Sequence, residues 1–280
     1  MIKLCAFADE ASPAVAGQTD ALRENGIGLL EVRGVDGKNI SEISPAQTRE
    51  LRKRLDDNGI GAWSIGSPIG KYPLDADIEP HLDAYRDILE KAQILGASRI
   101  RLFSFYPTVG EAEEETAKKT LERLHRICEL TPEGIVPCHE NEKAIFGDTV
   151  AHCLQIHRAL PKLRAVFDPA NFVQCGIDPL AAWDALSEYV DYIHIKDACA
   201  ADGGVVPAGQ GDGHLPEIIR RYLAAGGEVM TLEPHLMDFV GLANLENGES
   251  LKHAVTFRNN REAFDVAANA LKHILSTLSF

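Results

Sequence analysis

Tyr192-Ile193-His194-Ile195-Lys196-Asp197 sets an imidazole in a short apolar run and closes on two charges. Three other stretches repeat the theme of an apolar run that delivers a metal-competent side chain: Cys138-His139-Glu140-Asn141-Glu142, Phe167-Asp168-Pro169-Ala170-Asn171 and Thr231-Leu232-Glu233-Pro234-His235. A β/α barrel gathers its strand ends on one rim and carries its chemistry there. Four candidate ligands at four successive strand ends therefore predict that fold, and an enzyme.

Outward from these stretches, apolar runs alternate with helical patterns along the whole chain. Strands are expected at Ile2 to Ala6, Ile27 to Val32, Gly61 to Ile65, Arg99 to Phe103, Ile135 to Cys138, Ala165 to Phe167, Tyr192 to Ile195 and Val229 to Leu232. Each is nearly all apolar, as strands buried on both faces should be. Ser12-Pro13, Ser44-Pro45 and Asp178-Pro179 place a capping side chain before a proline and mark helix starts. Asn25-Gly26, Asn58-Gly59 and Leu95-Gly96 mark helix ends. Eight such pairs in one chain without linker or low-complexity tract predict an α/β protein, a single (β/α)8 barrel domain over residues 1–280. A doubly wound open sheet is the alternative, but it gives no reason for ligands on four adjacent strand ends. Two connections are long, 198–213 after the seventh strand and 236–256 after the eighth. Loops of that length on a catalytic rim cover substrate or contact another subunit.

Composition narrows the partners. The chain has 280 residues, 45% hydrophobic, with 28 Lys and Arg against 42 Asp and Glu, a formal charge of -14. Such a field repels phosphate backbones and anionic lipid surfaces, so neither nucleic acid nor membrane is an expected partner. The N-terminal apolar stretch is short and reaches Asp9 and Glu10 at once, which reads as cytoplasmic. Six scattered cysteines show no zinc-ribbon or disulfide spacing and read as reduced thiols.

Glu140, Asp168, His194 and Glu233 offer three carboxylates and one imidazole, a hard set suited to a divalent ion. Mn²⁺ is the first expectation, with Mg²⁺, Co²⁺ and Zn²⁺ open. An ion with free positions can polarise a carbonyl, acidify the neighbouring C–H and steady the enediolate left when that proton departs. Each residue also has an ordinary reading: a carboxylate after a strand is commonly a helix cap, and His194 could be a packed core histidine. His139 should face the opposite layer by strand alternation, which leaves it out of the ligand set. Glu31 and Arg33, at the end of the second strand, are expected to contact sugar hydroxyls in preference to forming a buried ion pair, and Glu142 reads as a substrate contact or a surface acid. Lys196 and His235 are expected to donate to substrate oxygens, and Arg101 to do so or to neutralise an acid. The glycines of Gly66 to Lys71 and of Gly209 to Gly213 fail the phosphate-loop and dinucleotide patterns. The second segment reads as a flexible rim loop whose N–H groups could hold a phosphate.

Several segments together carry a resemblance. Leu30-Glu31-Val32-Arg33-Gly34, Ser64 to Lys71, Arg101 to Tyr106, Cys138 to Asp148, Phe167 to Gly176, His194 to Asp197 and Leu232 to His235 resemble the xylose isomerase-like TIM-barrel superfamily, specifically its sugar phosphate isomerase/epimerase branch. That branch includes ketose 3-epimerases, hydroxypyruvate isomerases and inositol-catabolism enzymes. The resemblance implies a Glu, Asp, His, Glu metal site on Glu140, Asp168, His194 and Glu233, with Glu140 and Glu233 as the acid/base pair. It implies a sugar isomerase or epimerase acting on a ketose or keto-polyol by proton transfer through a metal-held enediolate. A lyase eliminating a group from a 3-oxo sugar would begin with the same step. An apurinic endonuclease-like hydrolase shares the fold, but needs a cationic face that a -14 chain lacks. An inactive barrel serving as a partner subunit is the non-enzyme alternative. Barrels of this branch often associate, which leaves a homo-oligomer open.

Overall fold

All eight apolar runs form strands: β1 Lys3–Ala6, β2 Leu29–Val32, β3 Gly61–Gly66, β4 Arg99–Leu102, β5 Val136–Glu140, β6 Arg164–Phe167, β7 Val190–Ile195 and β8 Val229–Leu232. In the computed structural model, which describes residues 2–242, 252 and 255–278, these close into a barrel in the order β1-β8-β7-β6-β5-β4-β3-β2, every pairing parallel. Around them lie α1 Val15–Glu24, α2 Pro45–Asp57, α3 Glu79–Leu95, α4 Glu113–Leu130, α5 Val150–Ala159, α6 Pro169–Gln174, α7 Pro179–Leu186, α8 Leu215–Ala224 and α9 Asn260–Thr277. No helix among the described residues is long and apolar enough to cross a membrane.

Strand alternation separates two environments. Ile193 and Ile195 of β7 join the large apolar core between strands and helices, while Tyr192 packs with Cys138 and Val166 in a small cluster of its own. Side chains two residues apart share a face, so His194 and Lys196 follow Tyr192 into the barrel. The Tyr192 hydroxyl donates to Glu31 Oε1 at 2.8 Å and meets Ser64 Oγ at 3.2 Å. Since β7 neighbours neither β2 nor β3 in the sheet, those bonds cross the interior.

Two of the three Xaa-Pro helix starts hold. Ser44 caps α2 in a reciprocal box with Gln47, and Asp178 caps α7 by accepting from Leu180 N. The third does not: α1 begins at Val15, not at Pro13. Ser12 Oγ instead accepts from Ala14 N, and Asp36 Oδ1 takes the Val15 N–H, so the capping carboxylate comes from a distant turn. The expected helix ends hold, with Gly26, Gly59 and Gly96 all at positive φ. The cysteines at 5, 128, 138, 153, 175 and 199 are free.

The 198–213 connection is built rather than loose, which corrects the reading of a flexible rim loop. Asp197–Ala198 pairs antiparallel with Val205–Val206. Asp197 then accepts from the backbone N–H groups of Gly209, Gly211 and Gly213 at 2.8, 3.0 and 2.9 Å. A carboxylate already holds the donors that a phosphate would need. The 236–256 connection falls largely outside the described residues.

Candidate metal centre

The barrel rim brings four sequence-predicted ligands together. Glu140, Asp168, His194 and Glu233 each present one donor atom within 4.8 Å of the others, all buried. Glu140 is the last residue of β5 and His194 lies inside β7, whereas Asp168 and Glu233 directly follow β6 and β8. His194 Nδ1 is the hub, 3.1 Å from Glu140 Oε1, 3.1 Å from Glu233 Oε2 and 4.0 Å from Asp168 Oδ2. Neighbouring donors on an ion bound at about 2.1 Å stand roughly 3 Å apart, so the spacing suits one small divalent cation. Asp168 Oδ2 and Glu233 Oε2 accept no hydrogen bond, although Lys196 Nζ stands beside them at 2.9 and 3.6 Å. Lys196 already gives these oxygens one cation, so the fit to a divalent ion rests on the donor spacing and on three carboxylates with one imidazole, a hard donor set. The residues fit a divalent ion.

Each ligand is aimed by a second contact. Glu140 Oε2 accepts from Arg101 Nη1 at 2.7 Å, which turns Oε1 toward the centre. Glu233 repeats the device: Oε1 accepts from Arg33 Nη1 at 2.9 Å and Oε2 faces inward. Asp168 does two jobs, since Oδ1 caps α6 through Asn171 N at 2.9 Å and leaves Oδ2 for the centre. The helix-cap reading of this residue and the ligand reading therefore coexist. Asn141 locks the ends of β5 and β6 by exchanging two bonds with the Asp168 backbone, both 2.9 Å. Behind His194, Nε2 lies 3.4 Å from Glu31 Oε2, and Glu31 is fully buried.

The electrostatics follow from burial and crowding. Burial would lower His194, but Glu140, Glu233 and Glu31 outweigh it and hold it well above the usual histidine range. Burial pushes Asp168 up to about 7; Lys196 opposes this, while Glu140 and Glu233 add to it. Glu140 goes the other way despite burial, held low by His194 and Arg101, and Glu233, also against burial, is held low by Lys196 and His194. Burial keeps His235 well below its ordinary range.

Other predicted residues reach the same place in different roles. Lys196 stands between Asp168 and Glu233. His235 adopts a left-handed backbone, φ 47°, and both its ring nitrogens are buried without a hydrogen-bond partner. Glu142 pairs with Lys71 at 3.2 Å. Glu31 and Arg33, expected first as substrate contacts, are instead engaged in ion pairs: Glu31 supports His194 from below, and Arg33 binds Asp9, Glu10 and Glu233. Arg33, Asp9, Lys71, Tyr106 and Phe239 line an adjoining cavity of about 460 Å³, within the usual size for a small-molecule site. His139 points away, its ring edge-on to His157 at 5.6 Å, and burial pushes it down to about 3.

Asp9, Glu10, Lys71, Asn141 and Asn171 join the site without a role expected of them from the sequence, and Arg101 takes the second of its two expected roles, neutralising an acid. Asp9 and Glu10 do follow the apolar end of β1, the same signal that marks Asp168 and Glu233. The glycines before Lys71 have a packing reason. Gly70 sits at φ 91°, where a Cβ would come within 2.0 Å of Phe103 O, so only glycine lets this segment lie against the chain beyond β4.

Known proteins share this architecture. A curated 3-dehydroshikimate dehydratase of Bacillus anthracis is 21% identical over 182 residues, and the match covers 64% of this chain and 65% of that protein's length. A crystal structure of the probable 3-DHS dehydratase AsbF from Bacillus anthracis superposes with a TM-score of 0.74 at 17% identity, covering 97% of this chain and 99% of the other. An L-ribulose 3-epimerase structure gives 0.74 at 18% identity, covering 99% and 94%. A family model matches residues 19–260, nearly the whole barrel with its rim cluster, and the chain belongs to the xylose isomerase-like TIM barrel family.

Proposed function

We propose that this protein is a divalent-metal-dependent isomerase or epimerase that moves a proton beside the carbonyl of a ketose or keto-polyol. One observation carries the reading. Glu140 and Glu233 each have one oxygen pinned by a buried arginine and the other turned to a common centre with His194 and Asp168. When bound, a divalent ion, Mn²⁺ by first preference, supplies the charge that polarises the substrate carbonyl and steadies the enediolate. Glu140, Asp168, His194 and Glu233 would hold it.

The chain's own groups do the rest. Glu233, kept ionised by Lys196 and His194, is placed to take the proton, and Glu140 to return one on the opposite face. Two carboxylates fixed within a few ångströms serve as base and acid in turn. His235, with its ring nitrogens unpartnered, and Lys196 donate to substrate hydroxyls, and Glu142 with Lys71 borders the entry. Burial of the cluster limits water around the enediolate and so guards it against side reactions, while the proton that Glu140 returns is drawn from solvent between turnovers.

A second reading draws on the likeness to a 3-dehydroshikimate dehydratase. The same proton abstraction followed by loss of a β-hydroxyl would make the enzyme a lyase. Incubation of the Mn²⁺-loaded protein in D₂O with ketoses, keto-inositols and 3-oxo glycosides separates these outcomes. Deuterium beside the carbonyl in a product of unchanged skeleton supports isomerase or epimerase chemistry; loss of water or fragmentation supports the lyase. Glu233→Gln should abolish exchange and weaken Mn²⁺ binding, and the reading fails if both are unchanged.

A further inference from the structure

Beside the four-residue centre lies a second group of candidate donors: Glu10, Glu233 and His235 each bring one ligand atom within 4.8 Å of the others, all buried. Glu233 belongs to both groups, so a second ion here would share a carboxylate with the first, as in two-ion centres. His235 Nε2 stands 4.0 Å from Glu10 Oε1 and 3.9 Å from Glu233 Oε1. Its ring nitrogens have no hydrogen-bond partner.

Those same two oxygens are already bridged by one guanidinium. Arg33 donates through Nη2 to Glu10 Oε1 and through Nη1 to Glu233 Oε1, both at 2.9 Å. Nε and Nη2 also grip Asp9 at 2.8 and 3.0 Å. The rings of Phe7 and Phe239 lie 4.2 and 4.4 Å from the guanidinium carbon. Gly34 makes the fork reachable, since a Cβ there would come within 2.8 Å of Asp9 Oδ2. Resting on the metal reading proposed above, we infer that Arg33 is a built-in cation at the position a second divalent ion would take, and that it limits this centre to one ion. A guanidinium does not lose its proton in a protein, so pH does not free those oxygens. Forked hydrogen bonds and aromatic contacts fix it in place more firmly than a lysine would be held. His235 is thereby left as a hydrogen-bonding group rather than a ligand.

The test is a count of Mn²⁺ per folded chain, by elemental analysis of gel-filtered protein and by electron paramagnetic resonance, where two ions sharing a carboxylate couple and one does not. The wild type and Arg33→Lys should hold one ion. Arg33→Met should hold two with a coupled signal, and the double variant Arg33→Met/Glu10→Gln should return to one. A single ion in folded Arg33→Met overturns the inference and leaves the metal reading standing. So does a wild type that holds two ions and drops to one on Glu10→Gln, a comparison that remains available if Arg33→Met does not fold. A wild type that binds none overturns both.

Discussion

Arg101 Nη1 donates to Glu140 Oε2 at 2.7 Å with both side chains buried. The remaining Arg101 nitrogens, Nε and Nη2, have no hydrogen-bond partner, and the ring of Phe103 lies 4.4 Å from the guanidinium carbon. Removing one partner of a buried pair strands the other charge, which costs about 3–5 kcal/mol. Arg101→Met should therefore lower the unfolding free energy by that order, read from the denaturant midpoint and slope, with Mn²⁺ restoring part of the loss because the ion compensates the stranded Glu140. An Arg101→Met protein as stable as wild type without metal would contradict this role for the pair.

The centre also predicts how the metal-stripped protein responds to pH. Asp168 is raised to about 7, burial raises Glu10 to about 8, and His194 is raised well above its usual range. All three bind protons more tightly folded than unfolded, so they stabilise the fold at low pH and lose that contribution as pH rises through the folded values. Glu140 and Glu233 are held low and act with the opposite sign, but only below the ordinary carboxylate range. The buried histidines His81, His139, His157 and His235 are held low and oppose this trend below about pH 6.5, where the unfolded chain protonates them, so the thermal midpoint of stripped protein should fall between about pH 7 and about pH 8. Added Mn²⁺ competes with those protons and should flatten or reverse the trend, since metal binding strengthens as its ligands deprotonate. A midpoint that rises with pH between about pH 7 and about pH 8 in the absence of metal would overturn the argument.

The strands are legible in the sequence because their cores are buried on both faces and so read as short, largely apolar runs. The candidate ligands are legible because a carboxylate or imidazole closes four such runs in succession, a coincidence that helix capping alone does not produce. Contacts made across barrel closure are the hard part. Asp9 and Glu10 meet Glu233 only because β1 lies beside β8 in the closed sheet, a juxtaposition of residues more than two hundred positions apart. A closed barrel implies that adjacency, so the acids after β1 belong to the site on that ground alone. Arg33 is harder, because the end of a strand gives no sign of whether a guanidinium will meet a carboxylate or a substrate hydroxyl. The glycines of 209–213 mislead for a chemical reason: they suggest mobility, yet their N–H groups are what Asp197 binds.

Asp197 should hold the rim loop as a single clamp. It is buried and accepts from three loop amides, and hydrogen bonds to a charged acceptor contribute about 1.5–3 kcal/mol each. Asp197→Asn keeps the size but loses the charge, and a donor NH₂ replaces one of its two oxygens and faces N–H groups. Hydrogen exchange in 198–213 should speed up by at least about tenfold, the change expected for about 1.4 kcal/mol, while β7 and β8 stay protected. Uniform acceleration across the barrel would mean that the residue acts globally instead.

Glu31 offers the clearest separation of support from ligation. It touches His194 at Nε2, the nitrogen opposite the one that faces the candidate centre, and it is tied by Tyr192 and Ser64. A carboxylate behind a ligand histidine fixes the tautomer and raises the basicity of the ligating nitrogen, and its loss commonly costs about 10–100-fold in metal affinity. Glu31→Gln can still accept a hydrogen bond but carries no charge, so Mn²⁺ affinity should fall within that range while the number of ions per chain is unchanged. His194→Gln, which removes the donor itself, should cost far more. Calorimetric titration of both variants distinguishes the roles: equal losses would make Glu31 as essential as a ligand, and no loss would show that Nδ1 of His194 is oriented by packing alone.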